Sequence, residues 1–200
     1  MSREETDLPP DLASPDVWSE LLEAMGPASL LLIVEQRLSS ALRRRYSAED
    51  VLQEAFLLAW RDHHRLEWRG LSAFRRWFLT VLDRRILDLA KYESAGKRTG
   101  VPSDGSLSAE SPEEHALFLS STTPSRVLAR REEADRLRAA LAALPSDFRQ
   151  VAVLRLLERS SVEEVAEALS IGVAAVKYRM SRALAILREL LASERDLTLR

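Results

Sequence analysis

LPSDFRQVAVLRLLERSSVEEVAEALSIGVAAVKYRMSRALAILREL, residues 144–190, carries two helical periodicities separated by a three-residue break. Val162–Leu169 reads as a short amphipathic helix with Val165, Ala166 and Leu169 on its apolar face. Ser170-Ile171-Gly172 interrupts it. A second helix resumes at Val173, with Val176, Met180, Ala183, Leu184 and Leu187 on one buried stripe. A small residue at Ala166, a tight turn, and a β-branched Val176 ten positions later describe a helix-turn-helix. The alanine lets the two helices cross closely, and the valine fills the space between them. Ala174, Ala175, Lys177, Tyr178, Ser181 and Arg182 are left facing outward, with Arg179 beside them. Small residues followed by cations and hydroxyls suit a helix that enters a major groove and reaches phosphates and base edges. A basic helix alone would fit an ordinary hairpin with a solvated face; the turn and spacing together point to DNA reading.

Working outward, the composition places everything else in helices. The chain has 200 residues, only 6 Gly and 8 Pro, and 46% hydrophobic residues with heavy use of Ala, Leu, Glu and Arg. The expected fold is all-α. With no Cys, a disulfide framework, a thiolate nucleophile and a cysteine metal site are excluded. The opening MSREETDLPPDLASPD is acidic and lacks the pattern of a signal peptide. The apolar run Ala28–Val34 is far short of the ~20 residues a membrane span needs. No membrane insertion and a cytoplasmic location are expected.

The net charge of −2 suits a DNA binder only when it is resolved along the chain. Residues 1–36 hold one arginine against eight carboxylates, and 101–125 hold four carboxylates and no cation. Residues 37–100 carry fourteen Lys/Arg against eight Asp/Glu, and 126–200 carry fourteen against eleven. Two mildly basic blocks are thus flanked and separated by acidic segments. Phosphate neutralisation supplies most non-specific DNA affinity, so such weak positive charge calls for a partner.

From the N-terminus, residues 1–16 read as a disordered acidic tail. Val17–Met25 and Pro27–Tyr46 have helical spacing, and Arg43-Arg44-Arg45 fits either a helix C-terminus or a phosphate contact. Ser47 caps the next helix, with Glu49 and Asp50 in its first turn. Its buried stripe is Val51, Leu52, Ala55, Phe56, Leu58 and Ala59. Asp50, Gln53, Glu54, Leu57 and Trp60 lie toward the other side, where an exposed Leu and Trp would mark a protein-docking surface. His63 and His64, adjacent and without a carboxylate at ligand spacing, do not make a metal site. From Ser72 one long helix follows, with Phe74, Trp77, Phe78, Val81, Leu82, Ile86 and Leu89 apolar. Its Arg75, Arg76, Arg84, Arg85, Asp88 and Lys91 fit a solvated face or one that tracks a DNA backbone. Trp68 and Phe74, near the preceding loop, could stack on an unpaired base, a point that local pattern alone does not decide. The organisation expected is a tail (1–16), a helical domain (17–97), a linker (98–123) and a second helical domain (124–193).

AEDVLQEAFLLAWR (48–61), FRRWFLTVLDRRILDLAK (74–91), a linker and the helix-turn-helix, in that order, resemble an extracytoplasmic-function (ECF) sigma factor of the sigma-70 superfamily. The acidic linker and STTPSRVLARREE resemble the planctomycete type. The resemblance covers about residues 25–191. It implies a region 2 helical bundle and a region 4 helix-turn-helix joined by a flexible linker. Region 2 would recognise and melt the downstream (−10) promoter element through Trp68, Arg75, Arg76, Arg84, Arg85, Asp88 and Lys91. Asp50, Gln53, Glu54, Leu57 and Trp60 would dock on the clamp helices of the polymerase largest subunit. The helix at Ala174, Ala175, Lys177, Tyr178, Arg179, Ser181 and Arg182 would read the upstream (−35) element. Core RNA polymerase, through clamp helices and flap, promoter DNA and an anti-sigma factor or other regulator are the implied partners.

Two residues depart from the family pattern within the turn. Ser170 stands where the family has Gly, and Gly172 where Ser or Thr caps the recognition helix. Arg84-Arg85 replaces the usual Arg-Asn-hydrophobic motif, so the target sequence does not transfer from relatives. The alternative function is a stand-alone helix-turn-helix regulator that binds duplex DNA without polymerase. No catalytic His-carboxylate constellation or Gly-rich phosphate loop is present, so neither an enzyme nor a cofactor is expected.

Overall fold

The computed structural model describes residues 10–99 and 124–198. Tail residues 1–9 and linker residues 100–123 lie outside the described residues. The chain divides into two compact units, 1–131 and 132–200, with the division inside a helix. No strand occurs among the described residues.

In the first unit, α1 (Pro15–Met25) and α2 (Pro27–Arg37) each begin on a proline, whose fixed φ suits the first helical position. They are joined at Gly26, whose φ of +78° is open to glycine at little cost. The tail expected through residue 16 is therefore ordered at its end: α1 starts at Pro15, and the Trp18 indole N–H donates to the Leu12 carbonyl at 2.9 Å. α2 is apolar nearly all round, and Leu30 to Val34 are all buried, as such a helix must be. It stops at Arg37 rather than running to Tyr46. Leu38 is extended, and the Ser39 hydroxyl accepts from the Leu42 N–H at 3.3 Å, offering the backbone a turn in place of the helix. A single 3₁₀ turn, Leu42–Arg44, follows. Arg43 donates to the Leu38 carbonyl at 2.9 Å, so this one arginine of the cluster acts at the end of α2, while Arg45 pairs with Glu93.

α3 (Ala48–Arg61) opens on Ser47, whose hydroxyl accepts from the Asp50 N–H at 3.1 Å. After a 3₁₀ turn, His63–Arg65, Gly70 at φ +86° releases the chain into α4 (Leu71–Thr99). Trp18, fully buried, is the hub of the aromatic core. Its ring centroid lies 5.6 Å from Phe74, 5.7 Å from Trp60 and 6.2 Å from Phe56, all edge-on, the favoured geometry for aromatic pairs.

α5 (Pro124–Ala142) leads into the second unit, where Ala134, Leu141 and Leu144 are buried. α6 (Ser146–Ala152) follows, and its Arg149 donates to the carbonyls of Leu141 (2.8 Å), Ala142 (2.6 Å) and Leu144 (2.8 Å), closing the end of α5. The helix expected over Phe148–Leu157 widens into a π turn at Val153–Leu157. α7 (Val162–Ala168) begins with a capping box: Ser161 Oγ accepts from the Glu164 N–H and the Glu164 carboxylate accepts from the Ser161 N–H. α8 (Val173–Thr198) completes the unit. Val151, Val165 and Val176 form its fully buried centre, with Ala166, Leu169, Ile171 and Met180 packed around them.

Ser170, between α7 and α8, has φ +51°. A non-glycine residue there crowds its Cβ against the backbone. Ser170→Gly is expected to stabilise the second unit by ~0.5–1 kcal/mol, the relieved strain being partly offset by the greater freedom of glycine in the unfolded chain. Thermal denaturation followed by circular dichroism would show it as a rise of a few degrees.

Candidate nucleic-acid interface

The helix-turn-helix is built as the spacing predicts. The Ile171 N–H donates to the Ala166 carbonyl at 3.0 Å, closing α7, and the Val176 N–H to the Gly172 carbonyl at 3.1 Å, opening α8. With Val176 turned inward, Ala174, Lys177, Tyr178, Ser181 and Arg182 are exposed and Ala175 is half-buried. Tyr178 is the most open of the large hydrophobic side chains among the described residues, at 62% exposure, and its ring is edge-on to Phe148 at 6.5 Å. Arg179 turns back instead: its guanidinium pairs with Asp147 on α6 at 3.1 Å, so it braces α8 against α6. Beside the exposed row, a groove of about 390 Å³ is floored by Val162, Val176, Met180 and Leu184 and edged by Arg155, Lys177, Ser181 and Arg188.

In the first unit, α4 presents Arg76, Thr80, Arg84, Leu87, Asp88 and Lys91 to the surface. Lys91 and Asp88 pair one turn apart at 3.2 Å. Leu87 is 58% exposed in the middle of this face. Trp68 lies half-buried against Phe74, with centroids 5.8 Å apart, and its indole N–H is buried without a hydrogen-bond partner.

In the first unit the structure corrects four placements read from sequence. Arg75 does not face DNA: it is 1% exposed and donates to the Met25 carbonyl and, at 3.0 Å, to Ser29 Oγ, tying α4 to the α1–α2 corner. Arg85 and Glu54 are not on outer faces either. They form a nearly buried ion pair between α4 and α3, with N···O distances of 2.7 and 2.8 Å. Leu57, at 1% exposure, belongs to the core. The cause is the same for α3 throughout: α2 packs on one side and α4 on the other, so a helix read as half-solvated is enclosed. Of the expected docking residues, Asp50 remains exposed, and Gln53 and Trp60 are half-buried.

Two further ion pairs fasten α4 and were not legible from spacing: Arg37–Asp83 at 2.7 Å and Arg45–Glu93 at 2.6 Å. Tyr46, next to the latter, has its phenol pushed above the usual range by burial and by the Glu93 charge. Arg75 did leave a signal, because it shares the phase of Leu79, Leu82, Ile86 and Leu89 on the apolar stripe. Among the described residues no group of His, Asp and Glu is placed to hold a metal ion. No single helix there is long and apolar enough to cross a membrane. The bent pair α1–α2 passes that test only by composition, and its apolar residues are core.

Comparison with known families bears on both surfaces. Residues 30–95 match the model of sigma-70 region 2, and residues 134–187 match that of sigma-70 region 4. The chain belongs to the sigma-70 family. The region 2 match spans α2 through most of α4, and the region 4 match spans the second half of α5 through the exposed row of α8. This sigma-70 chain is 28% identical over 183 residues to the ECF RNA polymerase sigma factor SigE of Mycolicibacterium smegmatis. The alignment covers 91% of the chain but 64% of that relative, so the chain spans a little under two thirds of its length. Among solved structures it is similar to CnrH, determined in complex with the cytosolic domain of CnrY, at 20% identity and a TM-score of 0.36, covering 91% of this chain and 96% of that one.

Proposed function

We propose that the chain is an ECF-type RNA polymerase sigma factor that directs core polymerase to specific promoters. The observation that carries this reading is the pairing of two sigma-70 regions in one chain, each with an outward face suited to its task. On α8, small residues at 174 and 175 let the helix approach base edges, while Lys177, Tyr178, Ser181 and Arg182 reach bases and phosphates of the upstream element. On α4, Arg76, Arg84 and Lys91 follow the backbone of the downstream element, and Trp68 offers a stacking surface for an unpaired base of the melted strand. Asp50 and Gln53, at the open end of α3, dock on the clamp helices of the polymerase. The polymerase flap docks elsewhere on the second unit, because the groove along α8 shares Lys177 and Ser181 with the DNA-reading row. Within this reading the protein is a specificity factor without catalysis of its own, acts in the cytoplasm, is held by an anti-sigma factor or other regulator, and belongs to the planctomycete type.

Lys177→Ala/Arg182→Ala is the direct test of the upstream contact. Base and phosphate contacts of this kind are worth about 1–3 kcal/mol each. Footprinting with core polymerase is expected to show at least a tenfold loss of upstream protection, with the fold intact because both side chains are exposed. Unchanged protection would remove the recognition role from α8.

A further inference from the structure

The exposed row of α4 is useful only if the helix keeps one rotation, and apolar packing alone is a weak guarantee of that. Hydrophobic burial is non-directional. Leu87, 58% exposed on the outer face, shows that the apolar residues of α4 do not all mark one inward side. What opposes a roll of α4 is a set of ion pairs from three different elements. Asp83 meets Arg37 of α2 at 2.7 Å, Arg85 meets Glu54 of α3 at 2.7 Å, and Glu93 meets Arg45, just beyond the 3₁₀ turn, at 2.6 Å. Asp83 and Arg85 are two residues apart, about 200° around the helix axis, so Asp83 meets α2 at the rim of the apolar stripe while Arg85 meets α3 from within it. Rolling α4 carries both side chains away from partners fixed on other helices. Glu93 lies eight residues beyond Arg85, roughly 12 Å along the axis, and holds the far end. The signs alternate along α4, negative, positive, negative, so a slide that brings Arg85 toward Arg45 or Glu93 toward Glu54 sets like charges together.

We propose that Asp83, Arg85 and Glu93 are positioning residues that hold α4 at the one rotation in which Arg84, Asp88 and Lys91 face the promoter strand. The proposal rests on the sigma-factor reading above. Replacing a buried ion pair by apolar residues of similar size is often neutral for stability, and at this site it removes the directional contact between α3 and α4. Glu54→Leu/Arg85→Met is therefore expected to melt within a few degrees of the parent and to bind core polymerase within about twofold of it. Its transcription from a promoter with a matched downstream element, relative to one with that element scrambled, is expected to fall at least fivefold in discrimination. At the more exposed pair, Arg45→Glu should lose discrimination, and Arg45→Glu/Glu93→Arg should restore it. Parental discrimination in Glu54→Leu/Arg85→Met and in Arg45→Glu would overturn the proposal. If the apolar double variant fails to fold, the Arg45 series decides by itself, and failure of the reversed pair to rescue also overturns it. A parent that gives no promoter-specific transcript with core polymerase would overturn the functional reading, and the proposal with it.

Discussion

Arg75→Ala is expected to unfold the first unit at a temperature more than about 10 °C below the parent. The guanidinium is 1% exposed and donates to the Met25 carbonyl at the end of α1 and to Ser29 Oγ at the start of α2. Hydrogen bonds from a charged donor contribute ~1.5–3 kcal/mol each, and truncation also leaves a void in a close-packed corner. A total of at least about 3 kcal/mol, at about 4–8 °C per kcal/mol for a domain of this size, gives that shift. Arg75→Lys should recover little, because one ammonium does not span both acceptors. The neighbouring Arg76→Ala is the control: its side chain is exposed, so its melting temperature should stay within about 2 °C of the parent. Scanning calorimetry of the three variants distinguishes a buried tie from a DNA contact. Equal melting of Arg75→Ala and Arg76→Ala would refute the assignment.

The second large effect concerns Glu54. Glu54→Ala leaves Arg85 charged and nearly buried, with its carboxylate partner gone, and breaking such a pair from one side costs about 3–5 kcal/mol. Glu54→Leu/Arg85→Met removes both charges and should cost less than about 1 kcal/mol. Urea denaturation of the single and double variants reads the difference. A single variant as stable as the double one would show that the pair contributes nothing. The result also bears on any test of polymerase docking: a Glu54 substitution weakens binding by unfolding the unit, so the docking face is probed at Asp50 and Gln53.

These two residues show where sequence periodicity stops being informative. The helix-turn-helix was legible because its signals are local: Ala166, the break at Ser170–Gly172 and Val176 lie within eleven positions, and their burial follows from helical phase alone. The capping serines at 47 and 161 are local as well. The two faces of α3 were harder. A helix with Glu54 and Leu57 opposite its main stripe reads as half-solvated, and only the packing of α2 and α4 on both sides encloses them. Partners such as Glu54 and Arg85 are 31 residues apart, and Arg75 and Met25 are 50 apart, separations at which charge patterning carries no signal. The end of α2 was missed for a different reason. Leu38 and Leu42 continue the apolar period past Arg37, but both are buried from a turn, not from a helix.

Run-off transcription with purified bacterial core polymerase, on a library of promoter fragments and with the Lys177→Ala/Arg182→Ala variant in parallel, separates a sigma factor from a regulator that works without polymerase. A sigma factor predicts transcripts from a defined subset of fragments that appear only when the protein is added, and that fall at least tenfold with the variant. Sequence-specific binding of duplex DNA without polymerase, and no transcripts with it, would contradict the account and make the protein a stand-alone regulator.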